Sequence, residues 1–387
     1  MPKVTVLVPS YNGERYLDEC LSSIASQTLE DIEVICLNDG STDGTLQIMR
    51  SYEAKDSRFR VIDKPNSGYG NTMNQGIDSA RGEFFTALES DDVFPKTACQ
   101  DMYDFIIEND LDYCKADAAL FVGDDESRTF VPAPVSQIKA SYEDVYNPSL
   151  DPGRWFCRSG QPGMYRMSFL NKYGIRHHES PGASFQDLGF WSQVVFCGKR
   201  VRNLDKVCYH IRRDNPNSSE VDPSKVYTIC GEADFVHRQA KQLEGINHEK
   251  CLVASAYFAF VVYRWNCSRL TGDALRAFIE RFSTDMLAYK SEGSLDLSYF
   301  NEADTNEVTK VMEDPAAYYY ENWVMPNEIR QATEPLASEN AALRQENAAL
   351  RQEIEALRQE LDSVYGSYRY RIGTAVTAPG RLLRRDK

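Results

Sequence analysis

The stretch VTVLVPSYNGERYLDECLSSIASQTLEDIEVICLNDGSTDGT, residues 4–45, decides the fold by its alternation. Residues 4–8 are a continuous run of mostly β-branched side chains, the pattern of a strand buried on both faces. Over residues 14–26, Tyr16, Leu17, Cys20, Leu21 and Ile24 share one helical face. Residues 32–37 repeat the strand pattern. Further out come a helix over 42–52 with Ser41 or Thr42 as its N-cap, a strand over 59–62, a helix over 71–80 closed by Gly82, and a strand over 84–88. Strands alternating with helices imply right-handed crossovers and an α/β fold: a Rossmann-like, mostly parallel sheet flanked by helices. Ligands of such sheets sit at the carboxyl ends of the strands.

The polar motifs of the chain fall at those ends. Pro9-Ser10-Tyr11-Asn12-Gly13 follows the first strand and Asn38-Asp39-Gly40-Ser41-Thr42-Asp43-Gly44 the second. Asn66-Ser67-Gly68-Tyr69-Gly70, leading to Asn74 and Gly76, follows the third, and Glu89-Ser90-Asp91-Asp92 the fourth. A carboxylate such as Asp39 is suited to accept the imide N–H of a uracil ring. Gly68 and Gly70 before a helix admit close approach of backbone N–H groups to a nucleotide. Three acids in four residues repel one another unless a cation sits among them, and hard oxygen ligands favour Mg²⁺ or Mn²⁺. Each motif alone also reads as a turn or helix cap; the order of all four at strand ends argues for a site.

At these residues the chain resembles the family 2 glycosyltransferases, inverting enzymes of the GT-A fold, over about residues 1–215. The resemblance implies nucleoside contacts at Pro9, Tyr11, Asn12 and Asp39. It implies a segment over the nucleotide containing Asn66, Gly68 and Asn74, and donor contacts at Glu89, Ser90 and Asp92. Asp91 is the implied metal ligand, for Mn²⁺ or Mg²⁺. Glu89 and Met73 stand where the family commonly has Asp and Arg. The family's acidic pair falls on Gln186-Asp187, which gives Asp187 as the base accepting the proton of the attacking sugar hydroxyl. Asp187 reads otherwise as a helix N-cap. In Tyr209-His210-Ile211-Arg212-Arg213, after a strand over 202–208, His210 is a candidate metal ligand and Arg212 or Arg213 a diphosphate clamp; salt-bridged surface arginines are the other reading. His177 and His178 read as exposed loop histidines. Trp155, Tyr165 and Trp191 read as core, with sugar stacking as the alternative. The activity implied is transfer from a nucleotide-diphosphate sugar, UDP by the family's habit, to a hydroxyl of a glycan or lipid-linked glycan in bacterial cell-surface polysaccharide synthesis. A sugar-1-phosphate nucleotidyltransferase would need a basic Gly-rich loop after the first strand, which residues 9–13 lack. A non-catalytic scaffold with a residual nucleotide site is the other alternative.

The sequence divides into a catalytic domain over 1–220 (nucleotide half about 1–110, acceptor half about 111–220), a helical domain over 221–330, a coiled coil over 334–365 and a basic amphipathic tail over 366–387. Leu336, Leu343, Leu350, Leu357 and Val364 recur every seven residues. Taken as d, they put Asn340, Asn347, Ile354 and Leu361 at a, glutamates from Glu339 to Glu360 at g, and Arg344, Arg351 and Arg358 at e. Buried Asn at a and matched g–e charges specify a parallel homodimer, with a lone amphipathic helix as the alternative. The tail mixes Arg with Tyr, Ile, Val and Leu, reading either as an anchor on an anionic membrane face or as a disordered basic end.

The net charge of −15 argues against nucleic-acid binding. The ten cysteines form no C-x-x-C pair and read as reduced, buried thiols. The chain begins without a signal peptide, and no run reaches the roughly 18 apolar residues of a membrane span. The expectation is a cytoplasmic protein, peripheral at the inner face of the cell membrane, with residues 251–262 a buried helix.

Overall fold

The computed structural model describes residues 1–123, 128–152, 162–183, 185–216, 226–243, 247–326, 339 and 342–360. Two compact units separate, Met1–Pro315 and Ala316–Lys387.

In the first unit, β1 (Val4–Ser10) and β2 (Ile32–Asp39) are buried at every position, as their apolar runs require. Helix α1 (Glu14–Ala25) buries Leu17, Cys20, Leu21 and Ile24 against them. Each such aliphatic side chain contributes about 1.5–3 kcal/mol on burial. The chain continues through α2 (Thr45–Lys55), β3 (Phe59–Lys64), α3 (Tyr69–Ser79), β4 (Phe84–Ala87) and α4 (Ala98–Glu108). Strands β3, β2, β1 and β4 are parallel neighbours in that order. The order reverses between β1 and β4, which opens a crevice beyond their carboxyl ends.

The far half of the sheet is mixed. Strands β5 (Tyr113–Val122), β6 (Thr129–Ala133) and β7 (Gly163–Arg166) are joined antiparallel, β7 also runs antiparallel to β4, and β8 (Val201–Arg212) returns parallel to β5. The parallel character read from the sequence therefore holds for the first four strands; β6 pairs antiparallel with β5 and β7 with β5 and β4. Helices α5 (Ala140–Glu143), α6 (Met167–Tyr173) and α7 (Gln186–Cys197) lie between these strands in the chain. A helical layer follows: α8 (Thr228–Gln242), α9 (His248–Cys267), α10 (Gly272–Ser291) and α11 (Glu302–Glu313). The apolar stretch 251–262 is the buried core of α9, and no helix among the described residues is long and apolar enough to cross a membrane. Nine described cysteines are free and buried.

Element ends depart from expectation where side chains intervene. Helix α2 starts at Thr45 rather than 42, because the Asp43 carboxylate accepts the Thr45 N–H (3.0 Å) and Thr42 is drawn to Asn12. Helix α3 begins two residues early, at Tyr69. It ends at Ser79 and is capped by Ala80 rather than Gly82, whose N–H donates to the Thr5 hydroxyl (2.9 Å).

In the second unit, residues 342–360 are helical. Leu343, Leu350, Ile354 and Leu357 are about half exposed there, and the Asn347 amide donates to the Leu343 carbonyl (2.9 Å). Leu336, Asn340, Leu361, Val364 and the tail lie outside the described residues.

Candidate active site

At the end of β1, Asn12 adopts a left-handed backbone (φ 53°), which turns the chain sharply into α1. The first two polar clusters are zipped together there. Asn12 N–H donates to Ser41 Oγ (3.0 Å), Asn12 Oδ1 accepts Thr42 N–H (2.8 Å), and Gly13 N–H donates to Thr45 Oγ1 (2.9 Å). A Cβ on Gly13 would lie 2.5 Å from Ser10 Oγ and 3.0 Å from Ser90 Oγ, so this glycine lets the ends of β1 and β4 close on each other. Pro9 is buried and Tyr11 is exposed beside them.

Asp39, buried at the end of β2, is the anchor of the third cluster. Its carboxylate accepts the N–H groups of Ser67 (2.8 Å) and Gly68 (3.1 Å) and pairs with Lys64, whose ammonium also reaches Ser67 Oγ (2.5 Å). Lys64 ends β3 and escaped the sequence reading. Tyr69 N–H donates to the Gly182 carbonyl (2.9 Å). The backbone donors of residues 67–69 are thus satisfied within the protein. Gly68 (φ 87°) matters here because a side chain would meet the backbone of Ser180 and Gly182. Exposed Asn66 packs its backbone on Gly40. Buried Asn74 staples α3 to the following loop, donating to the His177 carbonyl (3.0 Å) and Glu179 Oε1 (2.9 Å) and accepting His177 N–H (2.8 Å).

The fourth cluster joins the third through Tyr69, whose hydroxyl donates to Glu89 Oε1 (2.7 Å). Burial pushes the Glu89 carboxyl up to about 8; the Tyr69 bond opposes this, while repulsion from Asp91 and Asp187 adds to it. Asp92 is likewise raised well above the carboxylate range, by burial first and then by Asp91. Asp91 Oδ2 accepts from the Asn215 amide (2.7 Å), and Asp92 Oδ1 from Arg212 N–H (2.8 Å).

The end of β8, which carries His210 and Arg212, behaves differently from a clamp. The Arg212 guanidinium is 1% exposed. It donates to the Asp91 carbonyl (3.1 Å) and to Glu19 (2.6 Å), and lies on the rings of Tyr16 (4.4 Å) and Phe121 (4.6 Å). It buttresses the acidic loop from beneath. The His210 ring rests on Phe130 (4.7 Å), and burial lowers its basicity, with Arg128 adding. Among the described residues no three of His, Cys, Asp or Glu are arranged to hold a metal ion.

Asp187 is the one residue of α7 that is not buried. The residue before this helix, Phe185, is held at φ 66°, a strained conformation for an aromatic residue, and its ring meets Trp265 edge-on (5.4 Å). Asp187 lies in the first turn of α7, within electrostatic reach of Glu89 and Tyr69. Buried Gln186 donates to Ser180 Oγ (2.9 Å) and the Gly182 carbonyl (3.2 Å). The histidines correct the sequence reading. His177 is buried, stacked on Phe190 (4.5 Å), and its pKa is pulled down to about 3 by burial. His178 stacks on Phe235 (4.6 Å) with Nδ1 2.6 Å from Glu232 Oε1. Trp191 and Tyr165 are buried core residues; Trp155 lies outside the described residues.

Asp39 and Glu89, at the ends of β2 and β4, are therefore bonded by the one segment 67–69, and Asp187 of α7 lies within electrostatic reach of Tyr69. Residues 5–174 match the family model described as glycosyl transferase family 2. The matched stretch belongs to that family. The family 2 domain has relatives in Bacillus subtilis (strain 168). EpsH is 38% identical over 218 residues, covering 54% of this chain and 61% of EpsH. The uncharacterized glycosyltransferase EpsJ is 29% identical over 237 residues, covering 58% and 65%. The match thus spans just under two thirds of these relatives' lengths. The crystal structure of S. aureus TarS 1–349 superposes with a TM-score of 0.57 at 22% identity, over 80% of this chain and 90% of that one. The likeness shows a shared fold, a central sheet flanked by helices of the GT-A kind followed by a helical region.

Proposed function

We propose that the crevice transfers a sugar from a nucleoside-diphosphate donor to a hydroxyl of a glycan or lipid-linked glycan, with inversion at the anomeric carbon. The observation that carries this is that the single segment 67–69 bonds both Asp39 and Glu89 while Asp187 lies within electrostatic reach of Tyr69. The nucleoside lies against Pro9, Tyr11, Asn12 and Asp39, and the donor sugar beside Ser90 and Asp92. TarS, which shares the fold, has been crystallised with UDP and with UDP-GlcNAc, which supports UDP as the nucleotide.

The hard oxygen of Asp91, in a loop whose acids repel one another, fits a Mn²⁺ or Mg²⁺ ion. Such an ion would supply positive charge to the diphosphate that leaves. Asp187, opening from an otherwise buried helix, accepts the proton of the attacking hydroxyl. Gln186 fixes the turn that presents it, and Arg212 and Asn215 hold Asp91 from below. Exposed apolar side chains at a and d positions of 342–360 fit a parallel homodimer through a coiled coil. The basic tail fits an anionic membrane surface, which would bring the site to lipid-linked acceptors from the cytoplasmic side.

The test is release of nucleoside diphosphate from a panel of nucleotide sugars with Mn²⁺. Wild-type protein is expected to turn over at least one donor and Asp187→Ala none. Equal release by both proteins would remove Asp187 from the chemistry.

A further inference from the structure

Glu232, on α8, carries a carboxylate that the reading above leaves unused. The residue is 1% exposed. Its Oε1 lies 2.6 Å from His178 Nδ1 and accepts from the Ser180 hydroxyl (3.5 Å). Among the described residues nothing donates to its Oε2. A buried carboxylate oxygen left without a donor costs about 1–3 kcal/mol or more, so it requires a reason.

The position of that oxygen supplies one. A Cβ on Gly189 would lie 2.6 Å from Glu232 Oε2 and 2.9 Å from the Phe235 ring. Glycine inside a helix costs roughly 0.5–1 kcal/mol relative to alanine. Here it admits the carboxylate against the first turns of α7, the helix that presents Asp187. Glu232 and Asp187 interact electrostatically. Position 186 is an uncharged Gln whose amide donates to the same Ser180 hydroxyl. Gln186, Ser180, Glu232 and His178 thus form one hydrogen-bonded chain beneath the base.

We propose that Glu232 is a positioning residue for Asp187. Its bonds to His178 and Ser180 hold the 177–182 segment against α7, and its negative charge favours the protonated Asp187 that forms when the acceptor hydroxyl is deprotonated. The helical layer thereby contributes directly to the working of the family 2 domain. The proposal rests on the reading of Asp187 as the base.

Glu232→Gln keeps shape and an oxygen for His178 and Ser180 while removing the charge. In the full-length protein with Mn²⁺, kcat for nucleoside-diphosphate release from the best donor of the panel should fall by about tenfold, the size of coupling between neighbouring groups. The donor KM should stay within about twofold, since the donor is not touched. Glu232→Asp should recover part of the loss. Wild-type kcat in Glu232→Gln overturns the proposal, as does a loss confined to KM. Should thermal melting show that Glu232→Gln does not fold, His178→Gln must show the same fall in kcat at unchanged KM, and wild-type kcat there overturns it equally. Absence of release by the wild-type protein from every donor would instead overturn the reading of Asp187, a distinguishable failure.

Discussion

Gly70 lies directly under the carbonyl of His178: a Cβ at position 70 would overlap that oxygen and crowd the backbone of Glu179. The nucleotide-side helix α3 and the loop leading to Asp187 are in backbone contact, locked further by Asn74. Gly70→Ala has only backbone to displace, so a loss of about 1–3 kcal/mol is expected. Gly231, inside α8 with nothing within 4 Å of its Cβ position, is the control. Gly231→Ala should gain roughly 0.5–1 kcal/mol. Thermal denaturation of the two variants checks both signs.

The Glu89 carboxyl, raised to about 8 in the folded protein against 4.5 unfolded, binds more protons folded than unfolded between those values. Its contribution to stability is therefore complete below about pH 4.5 and is lost as pH rises toward 8. An ion held by Asp91, as proposed, would disfavour that proton through its charge, so the rise in melting temperature on adding Mn²⁺ should be larger at pH 8 than at pH 5. Tyr69→Phe removes the bond that lowers the Glu89 pKa and should push its titration to still higher pH. Melting scans across pH with and without Mn²⁺ read both effects.

Arg212 is buried with Glu19, Asp214 and two aromatic faces around it. Arg212→Met should cost about 1–3 kcal/mol of stability, because it removes the charge-assisted bonds to Glu19 and the Asp91 carbonyl, while Glu19 and Asp214, themselves partly exposed, keep access to water. Urea denaturation measures this. A diphosphate clamp would give the opposite pattern: unchanged stability with weakened nucleotide binding.

The proposed coiled coil would cover the half-exposed Leu343, Leu350, Ile354 and Leu357. Sedimentation equilibrium should show a dimer, and Leu350→Lys with Leu357→Lys should yield monomers that retain nucleotide binding.

Much of this was legible in the sequence because β1 and β2 are buried on both faces and so read as mainly apolar runs, broken only at Thr5 and Glu33 before their polar ends. The acids at their ends stand out by contrast. What was hidden depends on partners distant in the chain. His177 and His178 look like loop residues until Phe190 and Phe235 stack on them. Lys64 and Glu232 carry no local signal, since their roles arise only when β3 meets Asp39 and α8 meets α7. Arg212 reads as a diphosphate clamp or a salt-bridged surface arginine; its burial was hidden because its partner Glu19 lies 193 residues away. The left-handed Phe185 breaks a local rule next to Asp187, a conflict that only backbone geometry reveals.

Isothermal titration of UDP into the wild-type protein and Asp91→Asn, each with and without Mn²⁺, bears most directly on the site. Wild-type protein should bind UDP markedly more tightly with Mn²⁺, and Asp91→Asn should lose that enhancement while keeping its melting temperature. Failure of wild-type protein to bind UDP under either condition would contradict the claim that these strand ends grip a nucleotide sugar.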